Sequence, residues 1–206
     1  MQPTKGVVMY NEKNISNNID ISDKIESLEK EMMETKKELA TLRAQQPHAL
    51  IQDYAFLNQS NETIHLSDLF GEKAELIMPF NMGKKCSYCT LWADGYNGLV
   101  NHLEDRAAFV VVSPDSPEVQ QEFASSRNWA FTMVSSQNMD FYKEMDMLGE
   151  GGTWPGVVTY IKNENGEIFQ YAKSFFGPGD NFCAMWDFND LLPFQDETWV
   201  PKYTYK

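Results

Sequence analysis

The 206-residue chain is poor in cysteine and in basic residues, and each shortage excludes a class of protein. Three cysteines are too few, and odd in number, for the disulfide framework of a small secreted domain. Lys and Arg number 17 against 30 Asp and Glu, and the net charge of -13 disfavours nucleic acid and anionic membrane surfaces, which basic side chains bind. The sequence also lacks a bilayer-length apolar run and a secretory signal at its start. We therefore expect a cytoplasmic protein without nucleic-acid or membrane partners.

The composition and the apolar periodicity of the sequence change twice along the chain, which divides it into three parts. Residues 1–19 are rich in Asn and Ser without apolar periodicity, and this composition predicts a flexible tail. Residues 20–47 predict a helical arm that starts after Asp20 or Ser22, since either is a good N-cap. Residues 48–206 alternate strand and helix patterns and predict one α/β domain.

The predicted arm carries an apolar stripe at alternating four- and three-residue steps, broken once by Thr35 and ended before Pro47. Its members are Ile21, Ile25, Leu28, Met32, Leu39 and Leu42. Such a heptad stripe either docks on the globular domain, of its own chain or as a swapped arm, or forms a coiled-coil contact in a homodimer. Its short length and polar interruption favour docking over a free coiled coil.

The order of elements after the arm is that of an α/β protein with a parallel sheet core. A strand, a helix, a second buried strand and a second helix follow one another, and an antiparallel hairpin comes later. The predicted elements are strands at 54–57, 63–66, 74–80, 107–112, 131–135, 157–161 and 168–172, and helices at 86–103, 117–127, 140–147 and 183–192.

The most informative motif is Cys86-Ser-Tyr-Cys89, because it lies where the strand at 74–80 leads into a helix. The first N–H groups of a helix lack internal partners and carry positive dipole charge, so a thiolate there is stabilised and the pKa of the thiol should fall. Lys84 and Lys85 add positive charge at the same place. Cys89 lies one turn on and can close a disulfide, so we predict Cys86 as the nucleophile and Cys89 as the resolving thiol.

Two other interpretations of the cysteine pair stay open. A Cys-x-x-Cys pair can be half of a zinc site, or simply two buried small apolar residues. The remaining candidate zinc ligands form no second closely spaced pair; they are Cys183, His48, His65 and His102. The redox interpretation is therefore favoured, and it requires neither a metal nor a cofactor.

The element order and the position of the cysteines resemble the thioredoxin fold. More specifically, residues 36 to about 195 resemble a bacterial thioredoxin-like family catalogued only as a domain of unknown function, within the thioredoxin and peroxiredoxin group. Besides the cysteine pair, the motifs that carry this resemblance are Lys37-Glu-Leu-Ala-Thr-Leu-Arg43, Leu66-Ser-Asp-Leu-Phe70, Leu91-Trp-Ala-Asp-Gly95, Phe109-Val-Val-Val-Ser113 and Trp154-Pro-Gly156. The resemblance implies an α/β, thioredoxin-like three-layer fold with a central mixed sheet, an N-terminal β-hairpin extension and the helical arm.

The resemblance also implies a substrate groove beside the cysteines. Trp154 and Pro155 sit where the thioredoxin fold places a cis-proline that faces the two thiols, so a cis Pro155 is the feature on which electron exchange is expected to depend. Tyr88 and Trp92, with Trp154 and Pro155, are the expected substrate-binding residues.

One departure from thioredoxins affects the acid-base chemistry. Phe80 stands where thioredoxins carry the buried Asp that accepts the proton of the second thiol. Cys89 must then rely on water or on another carboxylate, and Asp94 is the nearest in sequence. We therefore predict Asp94 and Lys85 as the residues that tune the pKa values of the thiols.

These observations support three functional hypotheses. The leading one is a thiol-disulfide oxidoreductase or redox-responsive protein whose partner is a protein or small-molecule disulfide or thiol. The second is a thioredoxin-like interaction module without turnover, in which the arm binds a partner or a second copy of the chain. The third is metal binding through Cys86 and Cys89.

Overall fold

The structure is a computed structural model that describes residues 15–193 and 198–205, with side chains from residue 20 onward. Its contacts form two units, which divide between Gln46 and Pro47. Residues 1–14 of the predicted tail lie outside the described residues.

The first unit contains one long helix, α1, which spans Ile15–Gln45. It begins earlier than predicted, because neither Pro nor Gly interrupts the chain between Ile15 and Asp20, and the Asn-rich composition there misled the assignment. The 31 residues span about 46 Å at the usual helical rise. The side chains of the apolar stripe are 41% to 58% exposed. No helix in the described part of the chain is both long and apolar enough to cross a membrane.

The second unit is built on a mixed β-sheet. The strands are β1 (Ala49–Ile51), β2 (Ala55–Leu57), β3 (Thr63–His65), β4 (Glu75–Phe80), β5 (Ala108–Ser113), β6 (Thr132–Ser135), β7 (Leu148–Gly149), β8 (Gly152–Thr153), β9 (Gly156–Lys162) and β10 (Ile168–Phe175). Among the described residues, eight of them form one sheet in the order β1-β10-β9-β4-β5-β6-β2-β3, and β7 and β8 pair separately. β4, β5 and β6 are parallel neighbours, whereas β9 runs antiparallel to β4. The sequence did not predict the strands β1, β7 and β8.

Within its described residues, the globular unit contains five α-helices. They are α2 (Ser87–Asn97), α3 (Val100–Arg106), α4 (Pro117–Arg127), α5 (Met139–Glu144) and α6 (Ala184–Asp190). The helix predicted from Cys86 to Leu103 is in fact two helices, α2 and α3. The break follows from Gly98, the C-cap of α2, since glycine favours a helix end over a helix interior. Leu99 then donates its N–H to the carbonyl of Tyr96 at 2.8 Å, a tight turn that separates the two axes.

Two apolar clusters pack against opposite faces of the sheet, which gives three layers. Leu76 and Met78 of β4 point to the cluster that contains α5, while Ile77 points to the cluster that contains α2, α3, α4 and α6. The hairpin of β2 and β3 extends the sheet beyond β6. The thioredoxin-like three-layer fold with its hairpin extension and helical arm, predicted from the sequence, is thus confirmed.

The centre of the α5-side core is Phe141, which is fully buried. Its ring centroid lies 4.9 Å from that of Tyr54, 5.0 Å from that of Phe56 and 5.4 Å from that of Phe80. We expect Phe141→Ala to lower the free energy of unfolding by about 3–5 kcal/mol, because it leaves a cavity among these rings. Urea unfolding followed by circular dichroism measures the change. Phe188→Ala, at a side chain that is 66% exposed, is the control and should stay within about 0.5 kcal/mol of the wild type. A Phe141→Ala change no larger than that of the control would contradict this description of the core.

Candidate functional site

The candidate site lies at the carboxyl end of β4. β4 and β5 are parallel neighbours, so the loops that follow them open at the same edge of the sheet. Phe80 pairs with Val112, and Asn81 extends this pairing by donating its N–H to the carbonyl of Val112 at 2.9 Å. The loop of residues 81–85 then leads directly into α2, which begins after Cys86.

Two hydrogen bonds to side chains fix the conformation of this loop. The buried Asn81 side chain accepts the N–H of Gly83 at 2.8 Å, and Asp115 accepts the N–H of Lys84 at 2.6 Å. Gly83 has a φ of +98°, and a Cβ there would lie 2.8 Å from the Asp115 carboxylate oxygens. Glycine is therefore required for both conformation and space. Neither Asn81 nor Asp115 was predicted from the sequence, although Asp115 follows β5, and loops after parallel neighbouring strands meet at the same edge of the sheet.

Cys86 is the N-cap of α2, and its Sγ accepts the backbone N–H of Cys89 at 3.0 Å. Cys86 and Cys89 are joined by a disulfide, with their Cα atoms 5.2 Å apart, within the usual range for such a bond. The Cys86 sulfur thus occupies the helix-start position that the sequence predicted for it. A sulfur anion at this place receives both a hydrogen bond and the positive end of the helix dipole.

The two sulfurs differ in exposure. Cys86 is half-buried, whereas Cys89 is only 3% exposed and packs in the α2-side core. The Sγ of Cys89 also accepts the N–H of Met82 at 3.4 Å. An incoming group therefore reaches the sulfur of Cys86 first, which is the order expected if Cys86 attacks and Cys89 resolves.

An aromatic cluster surrounds the buried side of the disulfide. The ring of Tyr88 lies 6.2 Å from the rings of both Trp92 and Trp186, and Trp92 lies 5.2 Å from Phe176. Trp92 is only 3% exposed and its indole is part of the core, and its substrate-binding role stays a prediction. Tyr88 is half-buried, and its substrate-binding role stays a prediction. Trp186 and Phe176 were missed, because α6 and the residue after β10 are distant in sequence from Cys86.

Pro155 lies at the same sheet edge, since Gly156 at the start of β9 pairs with Phe80 at the end of β4. The Trp154–Pro155 peptide bond is trans, so the predicted cis bond is wrong. The carbonyl of Pro155 accepts the N–H of Phe176 at 2.9 Å, and the chain enters the strand pairing through an ordinary bond. Most X-Pro bonds are trans, and only the resemblance to thioredoxins had indicated otherwise.

The side chain of Trp154 is 51% exposed. Its ring lies 6.0 Å from that of Phe175 and covers Gly149 in the hairpin of β7 and β8. A Cβ at Gly149 would lie 1.8 Å from the indole nitrogen, so this packing requires glycine. The substrate-binding role of Trp154 stays a prediction, and the structure assigns its described contacts to the β7–β8 hairpin.

The described contacts of Asp94 join α2 to α4. Its carboxylate forms an ion pair with Arg127 on α4, whose Nε donates at 2.8 Å, and accepts the indole N–H of Trp129 at 2.8 Å. The hydrogen bond from Arg127 to Asp94 raises the pKa of Arg127. The role of Asp94 in tuning the thiols stays a prediction. Lys85 is exposed and makes no ion pair within the described chain, and its tuning role stays a prediction.

The third cysteine, Cys183, is half-buried at the N-cap of α6. Burial raises the pKa of the Cys183 thiol, which favours its neutral, unreactive form. Cys183 packs against the same core cluster as Cys86. The alkylation rate of Cys183 therefore serves as an internal reference for the alkylation rate of Cys86.

Comparison with known proteins agrees with the fold. The family model described as bacterial protein of unknown function (DUF899) matches residues 21–202. The putative peroxiredoxin bcp of Haemophilus influenzae is 26% identical over 129 residues, covering 59% of this chain and 82% of that protein.

Among solved structures, peroxiredoxin Q of Xanthomonas campestris superposes with a TM-score of 0.52 at 16% identity, covering 65% of this chain and 85% of that one. The PrxQ of Xylella fastidiosa gives 0.50 at 16% identity, covering 62% and 86%. At this identity the structural likeness establishes the fold alone, which is the thioredoxin-like fold of the peroxiredoxins.

The placement of Asp94 leads to a prediction that separates packing from thiol chemistry. Asp94→Asn should lower the free energy of unfolding by about 1–3 kcal/mol, because it leaves the largely buried Arg127 without its charged partner. The pH at which Cys86 reaches half of its maximal alkylation rate should not change. Glu122→Gln, at an exposed carboxylate on α4, is the matched control for stability. If Asp94→Asn shifts the pH of half-maximal Cys86 alkylation and leaves the free energy of unfolding unchanged, Asp94 tunes the thiol.

Proposed function

We propose that this chain, which belongs to the bacterial protein family of unknown function DUF899, is a thiol-disulfide oxidoreductase or redox-responsive protein that works through Cys86 and Cys89. One observation carries the proposal: the accessible sulfur of the pair caps α2 and accepts the backbone N–H of its partner at 3.0 Å. The fold is that of redox thiol proteins, and a putative peroxiredoxin is among the relatives. We place the activity in the cytoplasm, where such pairs cycle through the reduced state.

The helix start supplies the driving force for the first step. In the disulfide form the N–H of Cys89 points to the sulfur of Cys86, and the same N–H at this helix start would stabilise the thiolate over the thiol after reduction. The thiolate is the attacking species in thiol-disulfide exchange. No metal or cofactor is needed for this step, because the protein supplies both electrons from the two sulfurs.

The exchange then proceeds in two steps. The Cys86 thiolate attacks one sulfur of a substrate disulfide, forms a mixed disulfide and releases one thiolate. The Cys89 thiol loses its proton and attacks the Cys86 sulfur, so that the Cys86–Cys89 disulfide forms and the second substrate thiolate leaves. Two electrons pass from the cysteine pair to the substrate. In the closed disulfide the two Cα atoms are 5.2 Å apart, within the usual range for such a bond.

A peroxide is the second candidate substrate, and the curated relative favours it, because that protein is described as a putative peroxiredoxin. In that reaction the Cys86 thiolate attacks a peroxide oxygen and becomes a sulfenic acid, which Cys89 resolves with loss of water. A leaving hydroxide needs strong donors, and the arginines of the globular unit, Arg106 and Arg127, are paired with Glu75 and Asp94. A leaving thiolate needs less help, so we propose a disulfide as the main substrate.

Because the bond before Pro155 is trans, this proposal does not include the substrate groove that a cis-proline would form. What supports the proposal instead is the arrangement of the two sulfurs, which does not depend on Pro155.

The test uses the fully reduced chain and an aromatic model disulfide whose released thiolate is coloured. Wild type should release two equivalents rapidly and end as the Cys86–Cys89 disulfide, whereas Cys89→Ser should release one and keep a mixed disulfide at Cys86, seen by mass spectrometry. Cys86→Ser should lose the fast phase. Cys183→Ser is the matched control and should keep wild-type kinetics, since burial disfavours the thiolate of Cys183.

One combination of results would contradict the proposal. If Cys89→Ser accumulates no adduct and Cys86 alkylates no faster than Cys183 near neutral pH, the pair is not catalytic. The same variants treated with hydrogen peroxide separate the two substrates, because peroxide leaves a sulfenic acid at Cys86 in Cys89→Ser and a disulfide substrate leaves a mixed disulfide.

Lys85 offers a test of the electrostatic contribution. Lys85→Gln should slow Cys86 alkylation, measured below the pH of its plateau, by at most about threefold, because an exposed charge interacts weakly through water. The effect should vanish in molar salt. Lys143→Gln, at an exposed lysine on α5, is the control and should leave the rate unchanged. An effect that survives molar salt would mean that Lys85 acts by direct contact and not through the field.

A further inference from the structure

The apolar stripe of α1 lacks cover within its own unit. Each of its six members, Ile21, Ile25, Leu28, Met32, Leu39 and Leu42, is at least 41% exposed. An isolated helix gains little stability from propensity alone, and most helices in proteins are stabilised by packing of their apolar face. We therefore expect another apolar surface to cover the stripe, and the heptad spacing restricts the surfaces that can do so.

The short length of the stripe and its polar interruption favoured docking on the globular domain, but the charges beside the stripe favour a second copy of the same helix. With Ile25, Met32 and Leu39 at heptad position a, position g is occupied by Lys24, Glu31 and Glu38, and position e by Glu29, Lys36 and Arg43. In a parallel, in-register pair of helices, each g residue faces the e residue five positions later in the other helix. The facing pairs are Lys24 with Glu29, Glu31 with Lys36, and Glu38 with Arg43. All three join opposite charges, and each occurs twice in a symmetric dimer.

These six charged side chains are also available for such contacts. The ion pair that forms within α1 joins Lys30 and Glu34, which lie on the face opposite the stripe. None of the six residues at e and g forms an ion pair within the described chain. They flank the stripe, where they would close over the apolar seam of a dimer.

The antiparallel arrangement fits less well. Full overlap of two antiparallel stripes brings Glu31 against its own copy and leaves Arg43 opposite Ser22. Like charges in facing positions repel, and Arg43 loses its acidic partner. The parallel arrangement keeps every g and e charge paired.

We infer that α1 is a dimerisation element, through which two copies of this chain form a parallel, in-register coiled coil over residues 21–43. This inference goes beyond the proposed redox function and does not rest on it. The occupant of the stripe is the same stripe in a second chain.

Two adjacent methionines provide a matched test. Met32 and Met33 are both 58% exposed, but Met32 lies at position a of the stripe and Met33 at position b, outside it. We expect the full chain to sediment at equilibrium with twice its mass of 23.7 kDa. Met32→Asp should raise the dimer dissociation constant by more than about tenfold, because two carboxylates would face each other in an apolar layer. Met33→Asp should leave it unchanged.

A charge swap tests the orientation. Glu38→Lys should weaken the dimer, and adding Arg43→Glu should restore it, because the two residues face each other only in the parallel, in-register arrangement. In an antiparallel dimer the second substitution restores nothing. Cys86 alkylation rates, measured on every variant, confirm that the globular unit has kept its fold.

The outcomes are distinguishable. A monomeric wild type overturns the inference, and so does a dimer that tolerates Met32→Asp. A monomer in which Met32→Asp lowers the stability of the globular unit indicates docking of the stripe on its own chain, and overturns it as well. A failed rescue by Arg43→Glu overturns the parallel orientation.

Discussion

The hydrogen bond from the backbone N–H of Cys89 to the sulfur of Cys86 is the interaction on which the site depends. It exists only because α2 begins at residue 87, so that Cys86 is the residue whose side chain faces the free N–H groups. A start one residue later would give this role to Ser87. The loop before the helix fixes the start through Asn81 and Asp115, whose side chains accept backbone N–H groups from residues 83 and 84.

The same local structure separates the two sulfurs by environment. Cys86 faces the loop and is partly open to water, while Cys89 packs with Trp92 and the other aromatic rings of its cluster. Low accessibility at Cys89 keeps external groups from its sulfur, while that sulfur stays within reach of Cys86. The proposed order of attack therefore rests on burial, and the aromatic cluster, with Phe176 and Trp186 from distant parts of the chain, creates that burial.

Local signals in the sequence were sufficient for much of the fold. The buried strand before the cysteines, the helix after Ser116-Pro117 and the antiparallel hairpin at Asn163-Glu-Asn-Gly166 each have a pattern within about ten residues, and the structure contains all three. What the sequence did not reveal are long-range contacts. Asp94 is held by Arg127, 33 residues away, and the burial of Trp92 depends on α6. The isomer of Pro155 was inferred from resemblance, and strand pairing with its own neighbours decides it.

The aromatic packing around the disulfide has an optical consequence. Trp92 shares one van der Waals cluster with both sulfurs, and Trp186 lies within it. Disulfides quench indole emission by accepting an electron from the excited ring, whereas thiols do so much less. The chain therefore carries a built-in reporter, whose brightness follows the oxidation state of the pair without any added dye.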